Sequence, residues 1–263
     1  MILELKDIRM SYGGVGQKAR SLLEGVDLSV EKGAVTALVG GNGAGKTTLF
    51  NIISGFEKAA SGSVTFDGKD ITGLPASRIA RMGIGRLFQG RQLMAGLTLM
   101  ENMVIAAEDL ASETPLAALF QRRKIQASEA DLQQRAIDLL TGMFGDGNEY
   151  LELLDKKAGE LSYGQQRLIA LVRLLMKPRD PGLLLLDEPT SGIHPRHTEA
   201  FRRIILRMVR DKGLTILMIE HNMAFVRATA DRCHYLAGGK IYKSGSTSDI
   251  LDDPVIRKDY IGL

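Results

Sequence analysis

Two stretches of this chain are built from residues that can hold a phosphate. Gly40 to Thr48 reads GGNGAGKTT, a match to G-x-x-x-x-G-K-[ST], which has physical meaning only between a strand and a helix. Here AVTALVG precedes it as a mostly apolar, strand-like run, and KTTLFNIIS carries Leu49, Ile52 and Ile53 at helical spacing behind it. The small residues Gly40, Gly41, Asn42, Gly43, Ala44 and Gly45 allow the backbone to wrap an anion with its N–H groups inward. The helix start that follows adds roughly half a positive charge. Lys46 is expected to reach the outer phosphates as a point charge and Thr47 to ligate Mg²⁺, with Thr48 closing the nucleotide-binding run. The second stretch is LSYGQQ, Leu161 to Gln166. Ser162 and Gln165 fit a capping box ahead of the apolar helix LIALVRLLM. Capping does not explain Gly164, whose missing side chain lets an anion approach a helix N-terminus closely. One nucleotide should not need two grips from distant parts of one chain.

A phosphate loop alone indicates only a nucleoside triphosphate, so its companions decide the reaction class. GLLLLDEP is the near-continuous apolar run of a strand buried on both faces, and it delivers Asp187 and Glu188 to the carboxyl edge of the sheet, where α/β ligands bind. Asp187 can hold Mg²⁺ or its waters, while Glu188 can orient and deprotonate a water for in-line attack on the γ-phosphate. His221 follows the strand LTILMIE and reaches the same edge, where it can hydrogen-bond the γ-phosphate and the attacking water. Gln89, in RLFQG, falls where an early β region passes into a helical one; its amide can ligate Mg²⁺ or sense the γ-phosphate. Tyr12 follows the first strand and reads equally as an adenine platform or a core residue. His194, His197 and His234 read as structural or exposed.

These groups need an α/β frame, and the pattern supplies one. ILELKDIRMSY, LLEGVDLSV and GSVTFDGKDI alternate as an antiparallel layer, with Asp67-Gly68 as a hairpin signal. From about Leu97 to Arg173 the period turns helical, predicting a helical insertion. Buried strands and an amphipathic helix through Phe201, Ile204, Ile205, Met208 and Val209 then predict a parallel sheet. HYLAGGKIYKSG reads as a hairpin, and SDILDDPVIRKDY as one short final helix. With 263 residues, 44% apolar, the chain has ample material for a core. Its 34 basic against 31 acidic residues are too balanced to imply nucleic acid. A single cysteine, Cys233, fits a reducing compartment. The N-terminus reads as a strand rather than a signal peptide, and no run approaches the ~18 apolar residues of a membrane helix. The expected location is therefore cytosolic.

Taken in order, GGNGAGKTT, Gln89, LSYGQ, LLLLDEP and His221 resemble the ATP-binding subunits of ABC transporters over essentially the whole chain. LSYGQ is the family-specific element. The resemblance implies an α/β fold: a P-loop NTPase (RecA-like) core with a parallel sheet, an antiparallel β subdomain and an α-helical subdomain. It implies one nucleotide-binding domain over 1–263, with 1–90 and 174–263 as the catalytic core and 91–173 as the helical part. ATP and Mg²⁺ would bind between two subunits arranged head to tail. One subunit would contribute Tyr12, Gly40 to Thr48, Gln89, Asp187, Glu188 and His221; Leu161, Ser162, Tyr163, Gly164 and Gln165 would come from its partner. Separate membrane permeases, and indirectly a substrate-binding protein, would complete the system at the inner face of the membrane. GRLFQ, ENMVIAA, LSYGQQ, IEHNM and VIRKDYIGL look most like the branched-chain amino acid importer class, with lipopolysaccharide-export and non-transport ABC ATPases as alternatives. Two departures stand out: Tyr163 occupies the place of the commoner second glycine, and Ser191-Gly192-Ile193-His194 stands where many members have Ser-Ala-Leu-Asp.

Overall fold

A computed structural model describes residues 1–12, 20–90, 92–107, 122–177 and 180–261. The GGVGQKA segment after Tyr12, the run PLAALF and the last two residues lie outside these. In chain order the first elements are β1 (Leu3–Tyr12), β2 (Arg20–Val30), β3 (Val35–Val39), α1 (Lys46–Ile53), β4 (Ser61–Phe66), β5 (Lys69–Asp70), α2 (Ala76–Met82) and β6 (Ile84–Leu87). Then follow α3 (Leu99–Ala107), α4 (Arg122–Phe144), α5 (Glu149–Glu152), α6 (Tyr163–Arg173), β7 (Leu183–Asp187) and α7 (Pro195–Lys212). The last are β8 (Thr215–Ile219), α8 (Met223–Thr229), β9 (Arg232–Ala237), β10 (Lys240–Ser246), α9 (Thr247–Leu251) and α10 (Pro254–Ile261). They group into two compact units, one of Met1–Gln89, Gly182–Ser191 and Phe201–Leu263, the other of Gly90–Pro181 and Gly192–Ala200.

The first unit holds two sheets. The antiparallel one runs β2-β1-β4-β5, with Leu3 opposite both Val30 and Phe66. Its alternation is reset near Asp7, at φ 47°, where the pairing of β1 shifts register. The shift lets Leu5 and Ile8, three apart, both be buried. The other sheet runs β10-β9-β3-β8-β7-β6 and is parallel except at β10. Strands β3, β7 and β8 are buried at every position, the reason their sequences are apolar runs rather than alternations. Leu49, Phe50, Ile52 and Ile53 of α1 share one core with Leu3, Ile8, Val26 and Phe66 of the first sheet and Leu185 and Leu217 of the second. This burial on two sides holds the start of α1 in place. The C-terminal segment forms two helices instead of the single one anticipated, because Pro254 lacks an N–H and disfavours helical backbone at Asp253. Asp253 Oδ1 accepts from the N–H groups of Val255 and Ile256 at 2.9 and 3.2 Å.

In the second unit α3, α4 and α6 pack together around Leu99, Met103, Ala136, Leu140, Leu168, Leu171 and Val172. Arg167 of α6 is 1% exposed and donates through Nη1 to Gly90 O at 3.2 Å, and Arg173 donates to Gln92 O at 3.1 Å. Helix α6 therefore grips the backbone at Gly90 and Gln92. No helix among the described residues is long and apolar enough to cross a membrane.

Candidate nucleotide-binding and catalytic site

The loop between β3 and α1 is shaped as the glycine pattern requires. Gly45 is the N-cap of α1 at φ 99°, and a Cβ there would lie 2.7 Å from Leu23 Cδ2. At Gly40 a Cβ would lie 2.2 Å from Leu236 O, so backbone packing alone excludes any side chain. Lys46 Nζ donates to Gly40 O at 2.6 Å and Gly41 O at 2.9 Å, folding back along the loop. Burial lowers the Lys46 pKa, and the charges of Glu188 and Asp187 oppose that shift. A cleft of about 220 Å³ opens here, lined by Leu22, the run from Asn42 to Thr48, Glu188 and His221. Gly40 and Gly41 contribute carbonyls to Lys46 rather than walls to the cleft.

At the carboxyl edge of the parallel sheet the acidic pair divides. Asp187, the last residue of β7, is buried, and its Oδ2 accepts from Arg86 Nη2 at 2.9 Å. Glu188 takes φ 45°, unusual for a residue with a side chain, and faces the cleft. Gln89 Nε2 donates to Glu188 Oε2 at 2.9 Å, and His221 Nε2 lies 3.2 Å from Glu188 Oε1. Three of the sequence candidates thus meet at one carboxylate. Glu220 holds this edge in shape: it is 2% exposed and accepts from the N–H groups of Thr190, His221 and Asn222 at 2.9, 2.7 and 3.0 Å.

Tyr12 does not line the cleft. It is 47% exposed, which removes it from the core, and its hydroxyl donates to Glu57. That bond raises the phenol pKa, against an opposing bond with Thr48. In the second unit, Ser162 and Gln165 form a complete capping box at the start of α6, with Leu161 buried just before it. Gly164 has an internal reason to be glycine: a Cβ would lie 2.6 Å from His197 Cδ2 and 2.9 Å from its Cγ. Tyr163 stands near Gly192, where a Cβ would come 3.4 Å from its ring.

The family model described as "ABC transporter" matches residues 23–191. The chain belongs to the ABC transporter family. It is 34% identical over 261 residues to the high-affinity branched-chain amino acid transport ATP-binding protein BraF of Pseudomonas aeruginosa, covering 99% of this chain and 98% of that one. To the probable branched-chain amino acid transport ATP-binding protein LivG of Methanocaldococcus jannaschii it is 36% identical over 247 residues, 91% of each chain. The crystal structure of a nucleotide-free ATP-binding cassette from an ABC transporter is 34% identical and superposes with a TM-score of 0.81, over 100% of this chain and 99% of that one. The same scores relate it to the ADP conformation of such a cassette.

Within this ABC transporter chain, sequence reasoning overlooked the residues that hold the candidates. Arg86, Asn51, Glu57 and Glu220 received no role from the sequence, and His197 read as structural or exposed. A charge embedded in an apolar run was the available signal: Arg86 sits inside the strand run IGRLF, and Glu220 directly follows the strand run TILMI, where a charge needs a partner.

Proposed function

We propose that the chain binds ATP with Mg²⁺ and hydrolyses it as the ATP-binding subunit of an ABC importer for branched-chain amino acids or a related small polar solute. Supporting the substrate class is the assignment of the relatives at 34% and 36% identity to branched-chain amino acid transport. The observation that carries the reaction is Glu188, a carboxylate at the mouth of the phosphate-loop cleft with Gln89 on one oxygen and His221 on the other. Amides of Asn42 to Thr48 would cradle the phosphates, and Lys46 would exchange its two carbonyl partners for phosphate oxygens. Asp187, Thr47 and Gln89 offer one carboxylate, one hydroxyl and one amide oxygen, a hard-oxygen set that fits Mg²⁺. Held by these residues, the ion would supply positive charge against the negative charge that develops during transfer.

Glu188 accepts the proton of a water whose oxygen forms the new bond to the γ-phosphorus, while the bond to the β–γ bridging oxygen breaks and ADP leaves. His221 hydrogen-bonds the γ-phosphate and orients that water. Ser162, Tyr163, Gly164 and Gln165 serve the nucleotide of a second ATP-binding subunit, which returns the same residues. Closure of the two passes to integral membrane permeases fed by a substrate-binding protein, placing this chain peripherally on the inner face of the membrane. Tyr12, exposed and outside the cleft lining, would offer its ring to the adenine.

Glu188→Gln is the test. Turnover should fall by about 10²–10⁴ with ATP binding retained, and light scattering should show a nucleotide-trapped dimer. A chain that stays monomeric in saturating ATP, or that turns over unimpaired, overturns the reading.

A further inference from the structure

Arg86 closes a chain of polar contacts that runs from Tyr12 to Asp187. The residue lies on β6 and is 8% exposed. Its Nη2 donates to Asp187 Oδ2 at 2.9 Å, and its Nη1 donates to Asn51 Oδ1 and Ser54 Oγ, both at 2.8 Å. The rings of Phe50, Phe56 and Phe88 lie 5.7, 5.8 and 4.5 Å from the guanidinium carbon. Asn51 Nδ2 in turn donates to Glu57 Oε1 at 2.7 Å, and the Tyr12 hydroxyl donates to the other oxygen of Glu57.

Stability alone is a poor reason for this arrangement, since buried ion pairs are often replaceable by apolar side chains without loss. What the geometry does secure is aim. One oxygen of Asp187 is fixed by a cation that is itself fixed by α1 on one branch and by three aromatic rings around it. We propose that Arg86 is a positioning residue for Asp187 as a metal ligand, and that Asn51 and Glu57 hold Arg86 for that task. The inference rests on the reading of Asp187 as a ligand of Mg²⁺. It predicts that divalent-cation affinity is tuned from a residue that touches neither ion nor nucleotide, as outer-shell partners of metal ligands do. It also ties Tyr12 to Asp187 by a continuous hydrogen-bonded path through Glu57, Asn51 and Arg86.

The experiment measures ATP affinity by calorimetry with Mn²⁺ and again in EDTA, for the wild type and for Arg86→Met, Arg86→Lys and Asn51→Ala. The wild type should gain affinity with Mn²⁺. Arg86→Met should lose about tenfold or more of that gain while binding ATP in EDTA as the wild type does. Arg86→Lys should recover part of it, because the charge remains and the fork does not. Asn51→Ala, which leaves Asp187 untouched, should show a smaller loss of the same kind and decides the matter if Arg86→Met fails to fold. An undiminished Mn²⁺ gain, or equal weakening with and without metal, overturns the positioning role. Absence of ATP binding in the wild type would instead overturn the nucleotide reading beneath it.

Discussion

The two helix starts that looked alike as anion grips differ in where their backbone donors go. Helix α1 opens on Gly45, which has no side chain to offer, so its first amides have no side-chain cap, and its first residues line the cleft. Helix α6 opens on Ser162, whose Oγ accepts from Gln165 N–H at 3.3 Å, while Gln165 Oε1 accepts from Ser162 N–H at 3.0 Å and from its hydroxyl at 2.9 Å. Both carry the same helix dipole. The first is left open for an external acceptor; the second already uses the N–H groups of Ser162 and Gln165 in its own cap. An anion at α6 must therefore compete with a capping box, whereas an anion at α1 has to displace only the carbonyl contacts of Lys46. Residue type and spacing locate an anion site, and the fate of the orphan N–H groups says whether it is ready.

The sharpest way to break this comparison is Ser162→Arg. If LSYGQQ serves a partner's nucleotide, ATP hydrolysis should drop at least about 100-fold, as when preorganised donors to a developing charge are lost. ATP affinity of the isolated chain, measured by a fluorescent analogue, should change by less than about twofold, because the α1 grip is intact. Loss of binding by the isolated chain would return LSYGQQ to a folding role and make the two grips one. A smaller effect is expected from Gly164→Ala. Its Cβ meets the His197 ring, so the variant should unfold at about 1–3 kcal/mol less stability in urea. The double variant with His197→Ala should regain most of that loss. If it regains ATPase activity as well, Gly164 is glycine for packing; if stability returns and activity does not, the anion also needs it.

The frame of the site was legible because burial on two faces writes itself as apolar runs. LLLLD and TILMI could be only inner strands, and Asp187, Glu188 and His221 at their ends fell to the sheet edge by geometry. The capping box at Ser162 was legible for the same reason, being local. What could not be read were partners distant in sequence. Arg86 lies 101 positions from Asp187 and 35 from Asn51, and no period links them. His197 against Gly164 is another such contact, so a glycine with two possible reasons showed only one. His234, read as structural or exposed, is buried, with Nε2 3.0 Å from Ser29 O and Nδ1 2.6 Å from Ser244 Oγ. Desolvation lowers its pKa, an effect that the local sequence cannot carry.

The smallest expected effect separates the cap from the anion grip at Ser162 itself. Ser162→Ala removes the acceptor of Gln165 N–H and should cost about 1 kcal/mol in urea unfolding, while Ser162→Gly should cost only a few tenths, since glycine is tolerated at an N-cap. At α1 the order reverses. Gly45→Ala places a side chain at φ 99° and within 2.7 Å of Leu23, so strain adds to crowding and the loop, not the helix, is damaged. The comparison then turns on activity. If capping were all that Ser162 does, ATPase activity would follow stability and the glycine variant would be nearly wild type. If the hydroxyl also meets a partner's phosphate, both variants lose rate to a similar degree despite their unequal stabilities, because both lack the same donor.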